Sequence, residues 1–187
     1  MPLKLNVITV STRPGRLGPK VAEWVAAAAR EHSAFEVVPV DLADFDLPVF
    51  DEAKHPRLGD YAHAHTRRWA ESVAAADAFL FVTPEYNYFP PPSFVNAVTY
   101  LSREWAYKPA ALASYGGVSA GLRAAQMEKL LLSSLRVMTI PEAIAIPMFA
   151  QFLKDGEFVP NEPLVDGAKL MLSELHRWAT ALKPMRG

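Results

Sequence analysis

The segment Ser11–Gly18 combines the residue types of an anion-binding loop. It reads Ser-Thr-Arg-Pro-Gly-Arg-Leu-Gly and lies directly between an apolar run and a helical pattern. Arg13 and Arg16 supply positive charge, while the hydroxyls, the free backbone N–H groups and the positive end of the following helix dipole add donors. These groups predict a site for a phosphate monoester. The alternative interpretation is a surface turn with two solvated arginines.

Two familiar nucleotide-binding motifs are absent from the sequence. The P-loop requires a lysine followed by serine or threonine, and the dinucleotide fingerprint requires G-x-G-x-x-G; neither pattern occurs. Asp41 follows a predicted strand, where a ribose-binding acid would lie, but we interpret it as the residue that ends the strand and begins a turn. The arginines therefore favour a terminal phosphate over a buried pyrophosphate.

Two further loops follow predicted strands and have unusual compositions. Thr83–Phe89 contains three aromatic residues with an acid and an amide, so it either lies against a planar heterocycle or plugs the end of the sheet. Ser114–Gly121 contains adjacent glycines, whose exposed N–H groups would stabilise negative charge on a bound ring. Ordinary turn chemistry is the alternative, and it is favoured for Gly117 or Gly121 taken alone.

The stretch Gly117–Gly121 also matches the G-x-S-x-G motif of serine hydrolases. Two features oppose a nucleophilic Ser119. Three residues separate it from the predicted strand, and the only downstream histidine, His176, lies in the middle of a predicted helix. We therefore interpret Ser119 as a helix-capping or ligand-contacting hydroxyl.

Short apolar runs alternate with helical patterns along the chain, and this order places the three loops on a fold. The predicted strands are 3–10, 35–40, 78–82, 110–115 and 137–146, with Pro141 and Pro147 blurring the last. Helices are predicted to begin at Gly18, after Asp60 as a capping residue, near Ser93, before Met127 and at Pro163, and the third of them is predicted to extend to about Trp105. Five strands separated by helices predict one doubly wound parallel α/β sheet with helices on both faces. Such sheets bind ligands beyond the carboxyl ends of their strands, where the three loops lie.

Composition restricts the classes of partner. The 187 residues are 51% apolar and include no cysteine, which fits a soluble protein of a reducing compartment with one sizeable core. The formal charge is −1, from 19 basic and 20 acidic residues, so the field that attracts nucleic acid or an acidic membrane is missing. His63 and His65 lack the i,i+4 spacing of helical zinc ligands. We therefore expect a cytoplasmic protein that recognises small molecules and binds no metal, nucleic acid or membrane.

Together the three loops resemble those of the NADPH-dependent FMN reductase family of flavodoxin-like proteins, which includes quinone, azo-dye and chromate reductases. The resemblance rests on S-T-R-P-G-R-L-G, T-P-E-Y-N and S-Y-G-G in that order, and it extends over most of the chain. It implies a single flavodoxin-like FMN-binding domain over residues 1–187, with a five-stranded parallel sheet of order 2-1-3-4-5. It also implies a homodimer or a dimer of dimers.

The resemblance further implies FMN as cofactor, NADPH or NADH as electron donor, and no catalytic side chain, because the flavin carries the chemistry. A small acceptor, such as a quinone, an azo compound, free flavin or a metal ion, would then occupy the same flavin face in a ping-pong sequence. The N–H groups of Gly116 and Gly117 would favour reduction by stabilising charge on the ring. The phosphate would be held by Ser11, Arg13, Arg16, Leu17 and Gly18, the isoalloxazine and ribityl chain by Pro84, Glu85, Tyr86 and Asn87, and the pyrimidine end by Ser114, Gly116 and Gly117.

Three positions depart from the family pattern. Val10 stands where relatives often have glycine, and Phe94–Ala97 lacks the lysine of the usual L-K-N-A. The segment Phe89–Pro92 replaces a more glycine-rich stretch, which we expect to stiffen the rim of the pocket.

The alternative function is a flavin-binding electron carrier or sensor without turnover. Carriers usually have a strongly acidic docking surface, and a net charge of −1 does not supply one.

Overall fold

Strands and helices alternate along the chain in the computed structural model, which describes residues 2–186. The first four strands are β1 (Leu3–Thr9), β2 (Phe35–Asp41), β3 (Ala78–Pro84) and β4 (Pro109–Tyr115), and the first four helices are α1 (Gly18–His32), α2 (Ala64–Ala75), α3 (Pro92–Thr99) and α4 (Leu122–Ser134). They are followed by β5 (Met138–Thr139), β6 (Ile144–Ile146), β7 (Leu153–Lys154), β8 (Glu157–Phe158) and α5 (Glu162–Leu182).

The main sheet is parallel and has the order β2-β1-β3-β4-β5, with β6 also pairing along β4. The predicted α/β class and strand order are therefore confirmed. The predicted fifth strand over 137–146 is instead two short strands that share one position in the sheet. Pro141 lies between them, and proline supplies no N–H to continue the ladder. The antiparallel pair β7–β8 was not predicted.

Two helix predictions need correction. The helix predicted over Ser93–Trp105 ends at Thr99. Asp60 does not cap the second helix, which begins at Ala64 after an N-terminal boundary at His63; the Asp60 carboxylate instead pairs with Lys54. The first helix begins as predicted, with proline in its first turn, where a missing N–H costs nothing.

Helices cover both faces of the sheet, which explains the continuous apolar runs of β3 and β4. Helices α1 and α5 bury one apolar cluster against one face, and α2, α3 and α4 bury a second cluster, rich in aromatic rings, against the other. The carboxyl ends of β1, β3 and β4 are held between these layers. Among residues 2–186, no helix is both long enough and apolar enough to cross a membrane.

Candidate functional site

A cavity of about 540 Å³ lies at the carboxyl ends of β1, β3 and β4, and all three predicted loops contribute to it. Its volume falls in the range of cofactor sites, roughly 300–1,000 Å³. Of the twelve predicted site residues, nine line it: Ser11, Arg13, Arg16, Leu17, Pro84, Glu85, Tyr86, Gly116 and Gly117. Gly18, Asn87 and Ser114 are not part of its lining.

The loop after β1 presents hydrogen-bond donors that have no acceptor in the protein. The Nε of Arg16 is buried and has no partner among residues 2–186. The backbone N–H groups of Thr12, Gly15 and Leu17, in the same loop, also donate to no residue that the structure describes. Gly15 turns the chain with a φ of +70°. Because buried donors are rarely left unpaired, this arrangement fits a phosphate group, whose oxygens would accept from them.

Asp41 lies beside this loop and partly offsets its charge. Its carboxylate is 2.5 Å from Nη2 of Arg16, and it also accepts a hydrogen bond from the backbone N–H of Ala43 at 3.0 Å. Asp41 therefore ends β2 and begins a short 3-10 helix, which confirms its interpretation as a turn residue. It also holds the Arg16 guanidinium at the edge of the cavity.

Gly18 provides space for Tyr115, a cavity residue that the sequence analysis missed. A Cβ at Gly18 would lie 2.6 Å from the Tyr115 hydroxyl oxygen. The tyrosine is buried and its ring packs against Phe149 at a centroid distance of 5.1 Å, so it has little room to move. Burial, reinforced by nearby Tyr86, raises the pKa of Tyr115, although Arg16 opposes this. The hydroxyl therefore remains protonated at the floor of the cavity.

We expect Gly18→Ala to destabilise the protein by about 1–3 kcal/mol, because the added methyl group overlaps the Tyr115 hydroxyl. The double variant Gly18→Ala/Tyr115→Phe should recover most of this loss, since the next ring atom lies 3.5 Å from the Cβ, an ordinary contact. Urea unfolding of both variants and of Tyr115→Phe alone measures the coupling. Equal destabilisation of the single and double glycine variants would show that the hydroxyl is not the obstacle.

The loop after β3 is a two-residue turn. Tyr86 and Phe89 exchange two backbone hydrogen bonds of 2.9 Å, and the intervening Asn87 and Tyr88 both have positive φ, 51° and 73°. Asparagine is common in turns of this kind, because it adopts the left-handed backbone conformation more readily than most residues. Asn87 is exposed at the tip of the turn. Tyr86 lies within the cavity, with its hydroxyl 2.7 Å from that of Ser11.

Glu85 joins this loop to the start of α4. Its carboxylate accepts hydrogen bonds from the Ser119 hydroxyl (2.9 Å) and from the backbone N–H and guanidinium of Arg123 (3.1 and 2.9 Å). Burial alone would raise the pKa of Glu85, but these donors outweigh it and hold the pKa below its usual value. The carboxylate is therefore ionised, and by accepting from a first-turn N–H it caps α4.

The structure gives Ser119 no histidine partner within the described residues. Its hydroxyl donates to Glu85, while the His176 ring packs against Phe35 at the opposite end of the sheet. The predicted capping role is also wrong in detail, because Gly121 is the N-cap of α4. These positions argue against a serine hydrolase.

The loop after β4 divides its predicted roles between structure and site. The Ser114 hydroxyl is buried and donates to the Ala120 carbonyl at 2.8 Å. The N–H of Gly116 donates to Ile146, so it is not free for a ligand, contrary to our expectation. The N–H of Gly117 donates to none of residues 2–186, and a Cβ at this glycine would have no heavy atom within 4 Å. Gly117 therefore remains an open backbone donor that lines the cavity.

A fourth wall of the cavity, residues Met148–Gln151, was also missed. The backbone N–H groups of Met148 and Phe149 donate to the carbonyls of Gly117 and Gly116 at 2.9 and 3.0 Å. The segment begins with Met148 in the left-handed conformation and forms a single 3-10 turn. The hydrogen bonds that attach it are made by main chain, and the Phe149 ring adds a contact with Tyr115, so no sequence motif marks the segment.

Gly117→Val is expected to leave stability within about 1 kcal/mol and to weaken FMN binding by at least about tenfold, because its side chain would extend into open cavity space. Gly167→Val is a matched control, since a Cβ there also meets nothing within 4 Å and the residue lies outside the cavity. Fluorescence titration with FMN and urea unfolding of both variants separate binding from folding. Unchanged affinity in Gly117→Val would contradict the assignment.

Comparisons with known proteins identify the family. A family model described as NADPH-dependent FMN reductase matches residues 3–151, a range that ends with the fourth wall. An NAD(P)H-dependent FMN reductase of Schizosaccharomyces pombe is 37% identical over 147 residues, 77% of this chain and 74% of that protein. A quinone reductase of Pseudomonas putida is 30% identical over 145 residues, 73% and 74% of the two chains.

Solved structures give the same fold. FerB, a flavoenzyme NAD(P)H:(acceptor) oxidoreductase from Paracoccus denitrificans, has a TM-score of 0.77 at 23% identity, with 96% of this chain and 98% of that chain covered. The shared fold alone does not identify a family, whereas the sequence match extends over most of the chain. On that ground the chain belongs to the NADPH-dependent FMN reductase family.

Proposed function

We propose that this flavin-dependent oxidoreductase passes electrons from NAD(P)H to a small acceptor in a ping-pong sequence. Family membership gives FMN as the cofactor and NAD(P)H as the donor. A relative named quinone reductase favours a quinone as acceptor, and azo compounds, free flavin and metal ions are the further candidates. One observation carries the proposal: the buried Nε of Arg16 has no acceptor within the described chain, at the edge of a cofactor-sized cavity.

The protein's part in this reaction is to bind and orient. Bound FMN supplies hydride and electron transfer. Arg16, Arg13 and the unpaired N–H groups after β1 would hold the phosphate, and Tyr86 with Tyr115 would enclose the ring system. The Gly117 N–H is the donor for negative charge that develops on reduction. We infer that the cavity admits donor and acceptor in turn beside the cofactor, which favours the ping-pong order.

We also propose a homodimer, or a dimer of such dimers. Neighbouring helices α3 and α4 and the loops beside them expose large apolar side chains on their outer surface: Val95, Val118, Leu122, Met127 and Leu130. Several large apolar side chains exposed on two neighbouring helices favour a protein–protein interface there. The absence of cysteine further favours a cytoplasmic location. The two apolar clusters share one sheet, which supports one FMN-binding domain over residues 1–187.

Anaerobic titration of the purified protein tests the proposal. A yellow protein whose visible absorbance bleaches with NADPH or NADH, and returns when a quinone or azo compound is added, supports the reductase. A yellow protein that is indifferent to both nicotinamides indicates an electron carrier or sensor instead. A colourless protein that takes up no FMN contradicts both functions. Steady-state rates are then measured over a range of donor concentrations at several fixed acceptor concentrations. The double-reciprocal lines should be parallel, and intersecting lines would exclude the ping-pong order.

A further inference from the structure

Glu128 is a buried acid directly behind the loop that carries Pro84, Glu85 and Tyr86. It projects from α4, has no exposed surface, and its Oε1 lies 2.5 Å from the Thr83 hydroxyl. Its Oε2 is buried without a hydrogen-bond partner in residues 2–186. Thr83 is the residue before Pro84, which lines the cavity. Burying a half-satisfied carboxyl group is costly, and such conflicts with stability are expected mainly at functional positions.

The protonation state of Glu128 decides which group the Thr83 hydroxyl donates to. The Thr83 hydroxyl has one hydrogen, but two acceptors lie within its reach: Oε1 of Glu128 at 2.5 Å and the Pro84 carbonyl at 3.4 Å. If Glu128 is ionised, Thr83 must donate to it and the carbonyl loses its donor. If Glu128 is protonated, its acid O–H donates to Thr83, and Thr83 donates to the carbonyl. Protonated Glu128 therefore leaves the single Thr83 hydrogen for the Pro84 carbonyl, and ionised Glu128 does not.

Within residues 2–186, the helices and strands that pack most closely against α4 bring no countercharge to Glu128. The elements packed against α4 are α3, β3, β4 and β5. Of these, α3, β3 and β5 have no titratable side chain, and Tyr115 of β4 belongs to the apolar cluster on the other face of the sheet. On α4 itself, Arg123 is bound by Glu85 and Lys129 donates to the Ile140 carbonyl. Burial raises the pKa of Glu128 to about 8, opposed only by the Thr83 hydrogen bond.

We propose that Glu128 is a positioning residue for FMN binding: its protonated carboxyl group holds Thr83, Thr83 holds the Pro84 carbonyl, and loss of that proton to solvent releases the loop. The inference rests on the proposed function, because it assumes that FMN occupies the cavity. It makes FMN affinity depend on the protonation of a side chain that lies outside the cavity lining.

The test is the dissociation constant of FMN as a function of pH, measured by flavin fluorescence on dilution of the purified flavoprotein. For the native protein we expect the constant to rise about tenfold between about pH 7 and pH 9. Glu128→Gln should remove this dependence, because an amide N–H donates to Thr83 at every pH. Thr83→Val should bind FMN weakly with little pH dependence. Glu71→Gln, which removes an exposed acid on α2, should keep the native profile.

The outcomes separate the inference from the proposed function. A protein that binds no FMN at any pH would overturn the function itself. FMN binding with parallel pH profiles in the native protein and Glu128→Gln would overturn only the role of Glu128.

Infrared difference spectra of the native protein test the proposal even where the variant does not fold. We expect the carbonyl band of a protonated carboxylic acid at neutral pH, lost near the pH at which FMN is released. The other carboxyl groups with shifted pKa values, Asp51, Glu52, Asp77 and Glu85, are all shifted downward and contribute no such band. Its absence at neutral pH would overturn the proposal.

Discussion

Arg16→Ala is expected to weaken FMN binding by about a hundredfold. Charge-assisted hydrogen bonds are each worth roughly 1.5–3 kcal/mol, and the variant removes the buried Nε that has no other acceptor. It also leaves the Asp41 carboxylate, now 2.5 Å from the Arg16 guanidinium, without its countercharge beside the phosphate. Fluorescence titration with FMN and with riboflavin measures the effect. Riboflavin binding should change little, because riboflavin has no phosphate.

Lys20→Ala is the matched control for this variant. It removes the same charge near the start of α1, but its ammonium group pairs with Glu157 at 2.8 Å and does not line the cavity. We expect FMN affinity within about twofold of the native value, since exposed charges are screened by solvent and salt. An equal loss in both variants would indicate a long-range field, and an equal loss of riboflavin binding would indicate a disordered loop. Either result would contradict a direct phosphate contact.

Glu128→Gln is expected to gain about 3 kcal/mol of folding stability over the native protein as pH is raised from about 5 to about 8. The pKa of Glu128 rises from 4.5 to about 8 on folding. Between these values the folded protein retains a proton that the unfolded chain releases, so native stability falls by about 1.4 kcal/mol per pH unit and then levels off. Glutamine has no such proton.

Urea unfolding at the two pH values measures this difference, and comparing each protein with itself cancels any change in packing. Parallel stability curves for the native protein and the variant would show that Glu128 is already ionised in the folded state. The stability measurement needs no FMN and is therefore independent of the binding experiment.

The order of strands and helices was predictable because apolar runs and helical periods are local. The runs at β3 and β4 are apolar at nearly every position, and the proline in the first turn of α1 fixes where that helix begins. Predictions failed where distant contacts or single residues decide the outcome. Pro141 divides the fifth strand, and the pair β7–β8 is too short to give a pattern.

The same distinction applies to the site. Three loops were predictable because each has its own motif at the end of a strand. Tyr115 was not predicted because its position depends on the space beside Gly18, which has no side chain and is distant in sequence. Asn87 and Ser114 have suitable side chains, yet a two-residue turn and a buried hydrogen bond place them outside the cavity lining. Backbone geometry, rather than residue type, selected which members of each motif reach the cavity.

The fourth wall has a consequence for how such enzymes diversify. Met148–Gln151 is attached by hydrogen bonds from its own main chain to the carbonyls of Gly116 and Gly117, and every residue except proline can donate such bonds. Phe149 is also held by the Tyr115 ring, but its neighbours Ala150 and Gln151 have no such tie. We therefore expect substitutions at these two positions to change which acceptors enter the cavity, and to leave the proposed phosphate loop after β1 unaffected.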